Sequence, residues 1–455
     1  MSNRTKSTLR AATNRKMLLC RIIAGAERIF SKFESKCMFI GISIAHASLV
    51  ITLINDAQLT SKSSMIIDLR QCSIFVVGVT VYLMGTFVFF FFKGLPKGAL
   101  HIDQEMARIS VKNGIGEAPF LIEIRQVPQT ALREYEFFGY GIPRDFYEEN
   151  IPEIEAALNM LVAEIRDGRD RRHITLVLAP PHSIDEAERW NDQLISGEDF
   201  VLKVGKSVLG YEEIDLNLIP HILIGGSTGS GKTVLLKNLL YQCYCKNARV
   251  YVADFKGGID FGYTWEQLVH VDTTINDLIE TLDSLVSQLN ERKVIFREKG
   301  YDKLSTFNKD HPGELRRIIF ACDEIAELLD KAGLDKAEKE QVILVEKALS
   351  TIARQGRAFG IHLILATQRP DATILSGQIR NNLDYRICGR ADDVLSKIVL
   401  DKTDASERIP KYERGLFLTN SDRLIRSFFF TDADIIPEMR AVTDHENSIY
   451  DQSKA

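Results

Sequence analysis

The chain has 455 residues, 45% apolar and 26% charged, an ordinary balance for a folded protein with room for two or three domains. Its net charge of −5 excludes a broad basic face for nucleic acid or anionic lipid. The sum hides an asymmetry: residues 1–36 hold nine Lys or Arg against two Glu, leaving 48 basic and 60 acidic residues, a net −12, for the rest. Any DNA met by that remainder needs a focused channel. Seven scattered cysteines include no C-x-x-C pair, which argues against a zinc site or a disulfide framework and for reduced thiols.

The basic segment 1–36 precedes two apolar runs. Residues 37–55 and 72–92 carry no formal charge. Each run is near the ~20 residues an α-helix needs to cross a bilayer. The span region 37–92 therefore reads as a transmembrane helical hairpin with a short polar linker. The first run begins late and lacks a small-residue cleavage site, unlike a signal peptide. Basic residues before the first run and Lys93 and Lys97 after the second predict cytoplasmic termini and a multi-pass cell-membrane location. His46, mid-span, reads as a hydrogen-bonded helix residue in preference to a proton relay.

Residues 93–200 read as a small α/β connector. Strands are predicted at 120–127 and 174–179, with an amphipathic helix over 151–165 whose face carries Ile151, Ile154, Leu158, Leu161 and Ile165. No catalytic constellation is visible there.

Residues 201–440 alternate apolar strands, at 221–224, 250–253, 318–322, 362–367 and 385–389, with helical patterns. This predicts an α/β domain with a mostly parallel sheet covered on both faces. Residues 441–455 form a polar tail.

The most informative stretch lies in that domain. Gly226-Ser-Thr-Gly-Ser-Gly-Lys-Thr233 fits G-x-x-x-x-G-K-[ST] between a strand and a helix. Glycines allow backbone N–H groups to wrap phosphate oxygens, and the helix start adds its positive dipole end. Gly226, Ser227, Thr228, Gly229, Ser230, Gly231, Lys232 and Thr233 are thus the expected ATP cradle. Lys232 is expected on the β- and γ-phosphates, and Thr233 on Mg²⁺.

About 90 residues later an apolar strand ends in Asp323-Glu324. Asp323 is the expected second Mg²⁺ holder, and Glu324 the residue that orients and deprotonates the attacking water. The strand 361–366 ends in Thr367-Gln368, where the Gln368 amide is placed to sense the γ-phosphate. Arg354 and Arg357 just precede it, and in a ring either one reaches toward a neighbour's nucleotide as a trans arginine finger, with Arg357 the chosen candidate.

The runs Ile219–Thr233, Asp323-Glu324, Gly356-Arg-Ala-Phe-Gly-Ile-His362 and Ala366-Thr-Gln-Arg-Pro370 resemble the FtsK/SpoIIIE family of DNA translocases over roughly 200–440. The resemblance implies a RecA-like P-loop motor that assembles as a hexameric ring and pumps DNA through its pore with ATP. Residues 290–297, continuing to Asn308, resemble the family's pore-facing segment, and 378–382 its second pore loop. In that loop Arg380 and Asn381 are expected to follow DNA phosphates without reading bases. The chain departs from the family at Leu395-Ser-Lys397, where chromosome-segregating members carry Asp-Ser-Arg. With few residues after the motor, no terminal DNA-reading winged helix is expected. Two spans, a small module and one motor are similar to the membrane coupling ATPases of Gram-positive integrative and conjugative elements. That likeness implies relaxase and transfer-channel proteins as partners. A chromosome or plasmid segregation pump is the alternative, with single- or double-stranded DNA left open. A protein-secretion ATPase fits less well, because such systems chain several motors. An ABC transporter fits poorly, since Leu375-Ser-Gly-Gln378 follows the acidic strand instead of preceding it.

Overall fold

The computed structural model describes residues 3–31, 33–59, 64–368 and 377–435, and divides into two compact units, Met1–Pro181 and His182–Ala455. The first unit begins with three long helices, Asn3–Ser31, Phe33–Leu59 and Ser64–Gly94. The basic N-terminal segment is therefore helical. It crosses the third helix at a glycine pair: a Cβ on Gly25 would lie 1.8 Å from the Phe90 carbonyl oxygen, and one on Gly94 1.7 Å from that of Arg21. Only residues without a Cβ let two backbones approach so closely. Arg21 is buried there and pairs with Asp103, whose Oδ1 also accepts from the Leu121 amide at 2.8 Å. Two stretches, Phe33–Asp56 and Gln71–Gly94, are long and apolar enough to cross a membrane. Between them the Ser43 and Tyr82 hydroxyls meet at 2.7 Å, and His46 Nε2 donates to the Gly78 carbonyl at 3.1 Å. His46 is thus held in helix packing.

The rest of this unit is an antiparallel sheet of β1 (Phe120–Gln126), β2 (Arg133–Phe138), β3 (Leu161–Asp167) and β4 (His173–Ala179), ordered β1-β2-β4-β3. One face packs with Ile151 and Ile154 of a helix around Tyr135, Phe137 and Leu176. The helix expected over 151–165 is corrected here: it stops at Leu158, Asn159 turns into the left-handed region (φ 49°), and β3 begins at Leu161. The i, i+3, i+4 spacing of Leu158, Leu161 and Ile165 mimics one helical stripe. In fact the helix and the strand each present apolar residues to the same core.

The second unit holds ten strands. They are β5 (Val201–Ser207), β6 (Gly210–Asp215), β7 (Ile222–Gly225), β8 (Arg249–Ala253), β9 (His270–Asp272), β10 (Ile318–Cys322), β11 (Ile361–Thr367), β12 (Tyr385–Cys388), β13 (Leu416–Thr419) and β14 (Leu424–Ser427). Their order is β6-β5-β14-β13-β12-β7-β11-β10-β8-β9. From β12 to β9 neighbouring strands are parallel, and from β6 to β12 antiparallel. β7, β10 and β11 are buried on both faces, as their unbroken apolar runs require. This is the mixed, mostly parallel α/β sheet expected for a P-loop motor. The boundary expected at 200/201 differs from the packing division at 181/182, because Trp190, Leu194 and Phe200 join the second unit's core beside Leu202 and Phe428. The expected tail 441–455, and 436–440 before it, lie outside the described residues.

Candidate active site

Strand register decides which loops meet. Gly225 at the end of β7 stands level with Thr367 of β11 and Cys388 of β12. Cys322 of β10 is level with Leu365 and with Ala253 of β8. The segments after these five strands therefore leave one edge of the sheet together, where open parallel sheets hold their ligands.

The loop after β7 leads into the helix Lys232–Cys245. Gly231 has φ 99°, and a Cβ there would sit 3.0 Å from the Gly415 amide nitrogen. That amide donates to the Ser230 carbonyl at 2.8 Å. On the other side, the Ser227 amide and hydroxyl donate to the Arg390 carbonyl at 2.7 and 2.9 Å. The Arg390 guanidinium returns bonds to Ser227 Oγ (3.1 Å), the Thr228 carbonyl and the Lys411 carbonyl (2.7 Å). The phosphate loop is thus shaped in advance by the end of β12 and the loop before β13. Ser230 Oγ is buried and has no hydrogen-bond partner among the described residues, a vacant donor suited to a phosphate oxygen.

Below the loop lies a compact charge cluster. Lys232 Nζ donates to Asp323 Oδ1 at 2.8 Å and to the Asp323 carbonyl at 2.6 Å, and Thr233 Oγ1 donates to the same Oδ1 at 3.0 Å. Lys256 Nζ takes Oδ2 at 2.6 Å and Asp260 at 3.0 Å. Burial pushes the Asp323 carboxyl up, but the two ammonium groups outweigh it and hold it below its ordinary value. Burial also raises Glu324, only partly offset by the Lys232 charge. Glu324 accepts from the Gln368 amide at 2.9 Å and from Thr367 Oγ1 at 3.1 Å, while the Gln368 side-chain oxygen accepts from Thr228 Oγ1 at 2.8 Å. Gln368 therefore bridges the phosphate loop and Glu324. The oxygen donors of Thr233 and Asp323 form a hard-ligand pair that fits Mg²⁺.

So Lys232, Thr233, Asp323, Glu324 and Gln368 converge. Arg357 does not: it is exposed in the last turn of the helix Lys336–Phe359, ahead of β11. Seven strand residues separate that end from Gln368, roughly 20 Å, so it lies far from its own phosphate loop. Arg380 and Asn381 sit around a short helix, Gly377–Arg380, before β12. Arg369, Pro370, Leu375 and Ser376 lie outside the described residues. Ser396, where the family departure falls, is buried, and its hydroxyl donates to the Lys402 carbonyl at 2.7 Å. Arg292, in the segment likened to a pore-facing stretch, is buried and donates to the Phe359 carbonyl at 2.5 Å. Lys256 and Arg390 are site residues missed in the sequence. The signal that could have found them is position, since each follows a strand that ends on the nucleotide edge.

At the opposite edge two buried histidines join β7 to β11. Leu363 N donates to His221 Nδ1 at 2.9 Å, so Nε2 carries the proton and donates to the Ala353 carbonyl at 3.1 Å. Arg317 donates to His362 Nε2 at 3.0 Å, so His362 gives its Nδ1 proton to the Pro220 carbonyl at 2.9 Å. Both rings are therefore neutral, and burial pushes His221 down to about 4. An unfolded His takes up its proton near pH 6.5, before the folded one does. Stability is therefore lost as pH falls below that value, by about 3 kcal/mol from His221 alone by pH 4. Urea midpoints measured from pH 7.5 to 4.5 should fall steeply, and less steeply in His221→Asn.

A phosphate loop at the end of a central parallel strand, an acidic pair at the end of the next strand but one, and a polar amide between them define a P-loop ATPase of RecA-like architecture. A model of the FtsK/SpoIIIE family matches residues 198–372. DNA translocase FtsK of Helicobacter pylori is 30% identical over 228 residues, 47% of this chain and 25% of that protein. That of Staphylococcus aureus is 27% identical over 289 residues, 58% of this chain and 35% of that protein. The solved structure of the pCW3 conjugation coupling protein TcpA, a monomer form with ATPγS, is 33% identical, with a TM-score of 0.57. That likeness covers 76% of this chain and 99% of the other. The chain belongs to the FtsK/SpoIIIE family, and spans about a quarter to a third of the length of the curated relatives it matches.

Proposed function

We propose that this chain is a membrane-anchored, ATP-driven DNA translocase that acts as the coupling protein of a conjugative element. The observation that carries this reading is the likeness to the pCW3 conjugation coupling protein, 33% identical and matched over 99% of that chain. The two apolar helices Phe33–Asp56 and Gln71–Gly94 support the anchor. A basic first helix and Lys93 at the end of the second span support cytoplasmic termini.

In this reading Gly226–Thr233 cradle ATP, with Lys232 moving from Asp323 onto the β- and γ-phosphates. Thr233 and Asp323 would hold Mg²⁺, whose charge would offset that of the phosphate oxygens. Glu324 orients the attacking water and takes its proton, and Gln368 couples loss of the γ-phosphate from Thr228 to Glu324. Arg357, remote from its own phosphate loop, serves a neighbouring subunit in a hexameric ring. Arg380 and Asn381 follow the DNA backbone. A relaxase and the transfer-channel proteins are the expected partners.

The test is ATP hydrolysis by the full chain in detergent with no polymer, single-stranded DNA, duplex DNA or unfolded polypeptide. Stimulation by DNA is expected, and preference for single strands favours conjugative transfer over segregation. Stimulation by polypeptide alone would replace the reading with protein secretion.

A further inference from the structure

Both carboxylate oxygens of Asp323 are already engaged by donors, so a metal ion has to share or displace one of them. Oδ1 is taken by Lys232 and Thr233, and Oδ2 by Lys256 at 2.6 Å. When Lys232 moves to the phosphates, one competitor remains. Lys256 sits in the loop after β8, whose course is set by Asp254: its carboxylate accepts from the amides of Lys256 and Phe261, each at 3.1 Å. Four residues on, Asp260 offers the Lys256 ammonium a second partner at 3.0 Å. A cavity of about 10 Å³ beside the pair is lined by Asp254, Lys256, Asp323, Glu324 and Glu327. It has room for one water, whereas Mg²⁺ keeps several.

We propose that Lys256 is the resident counter-ion of Asp323: it competes with Mg²⁺ for this carboxylate and withdraws onto Asp260 when the Mg²⁺–nucleotide complex enters. Lys256 thereby sets how much Mg²⁺ the site requires and ties the 254–262 loop to nucleotide state. The proposal rests on the reading of the edge as a Mg²⁺–ATP site. A positioning role of this kind predicts opposite shifts for its two partners' variants. Lys256→Met frees Oδ2, whereas Asp260→Asn leaves Lys256 with Asp323 alone.

The experiment titrates Mg²⁺ into the full chain in detergent with a fluorescent, non-hydrolysable ATP analogue, so binding is read without turnover. The half-saturating Mg²⁺ concentration should fall about fivefold in Lys256→Met, the worth of one partly exposed ion pair. It should rise in Asp260→Asn, and melting curves identify a variant that fails to fold. Should one fail, the other still decides by the direction of its shift. An unchanged Mg²⁺ midpoint in the folded variants, or a rise in Lys256→Met, overturns the proposal. So does a loss of affinity in Lys256→Met that is equal with and without Mg²⁺, which would make Lys256 a phosphate ligand. Wild-type binding that ignores Mg²⁺ would instead remove the Mg²⁺–ATP reading, and this proposal with it.

Discussion

Lys232→Ala is expected to lower ATP hydrolysis by at least about 10²–10³-fold, the usual loss when one preorganised charge donor is removed from a reacting group. The side chain is buried, and its ammonium forms its ion pair with Asp323 while also acting on Glu324. Few other groups can stand in: Arg390 is committed to the phosphate loop's own backbone and to Lys411, and Lys256 is split between Asp323 and Asp260. The fold should survive, because Asp323 keeps Thr233 and Lys256, and the helix Lys232–Cys245 keeps its apolar face of Leu235, Leu236 and Leu239. Steady-state hydrolysis together with a melting curve checks both halves. A folded Lys232→Ala protein with unimpaired hydrolysis would contradict the assigned mechanism.

Glu324→Gln should separate binding from chemistry. The amide keeps the volume and one acceptor toward the Gln368 and Thr367 donors, so nucleotide should still bind, while hydrolysis falls about 10²–10⁴-fold with loss of the base. The sign of the pH dependence follows from burial. Glu324 has its carboxyl raised, so the active carboxylate is lost as pH falls through a value higher than that of an exposed glutamate. The wild-type rate should show that acid limb, and the residual rate of the variant should not. Retention of the same limb in Glu324→Gln would assign it to another group. The comparison needs only initial rates across the acid range, paired with analogue binding at each pH.

Much of the nucleotide edge was legible because its chemistry depends on local spacing. Gly226–Thr233 and Asp323-Glu324 follow apolar runs that are buried on both faces, and such strands announce their own ends. Gln368 was legible for the same reason. Lys256 and Arg390 were not, because each earns its place through register: β8 and β12 bring them to the edge across strands distant in sequence. The helix expected over 151–165 failed where a two-residue turn at Asn159 let a helix and a strand share one apolar spacing. β5, β6 and β14 escaped notice because these short antiparallel strands carry charged residues that break up their apolar pattern. Among the described residues, the buried histidine pair lies too far apart in sequence, at 221 and 362, for any motif to register it.

The proposed work of this ATPase is done on DNA. The most direct measurement is the rate of ATP hydrolysis by the full chain in detergent, with Glu324→Gln as the blank, as single-stranded or duplex DNA is added. The rate is expected to rise with DNA and saturate, in the wild type alone. A wild-type rate indifferent to both forms of DNA but raised by unfolded polypeptide would contradict it.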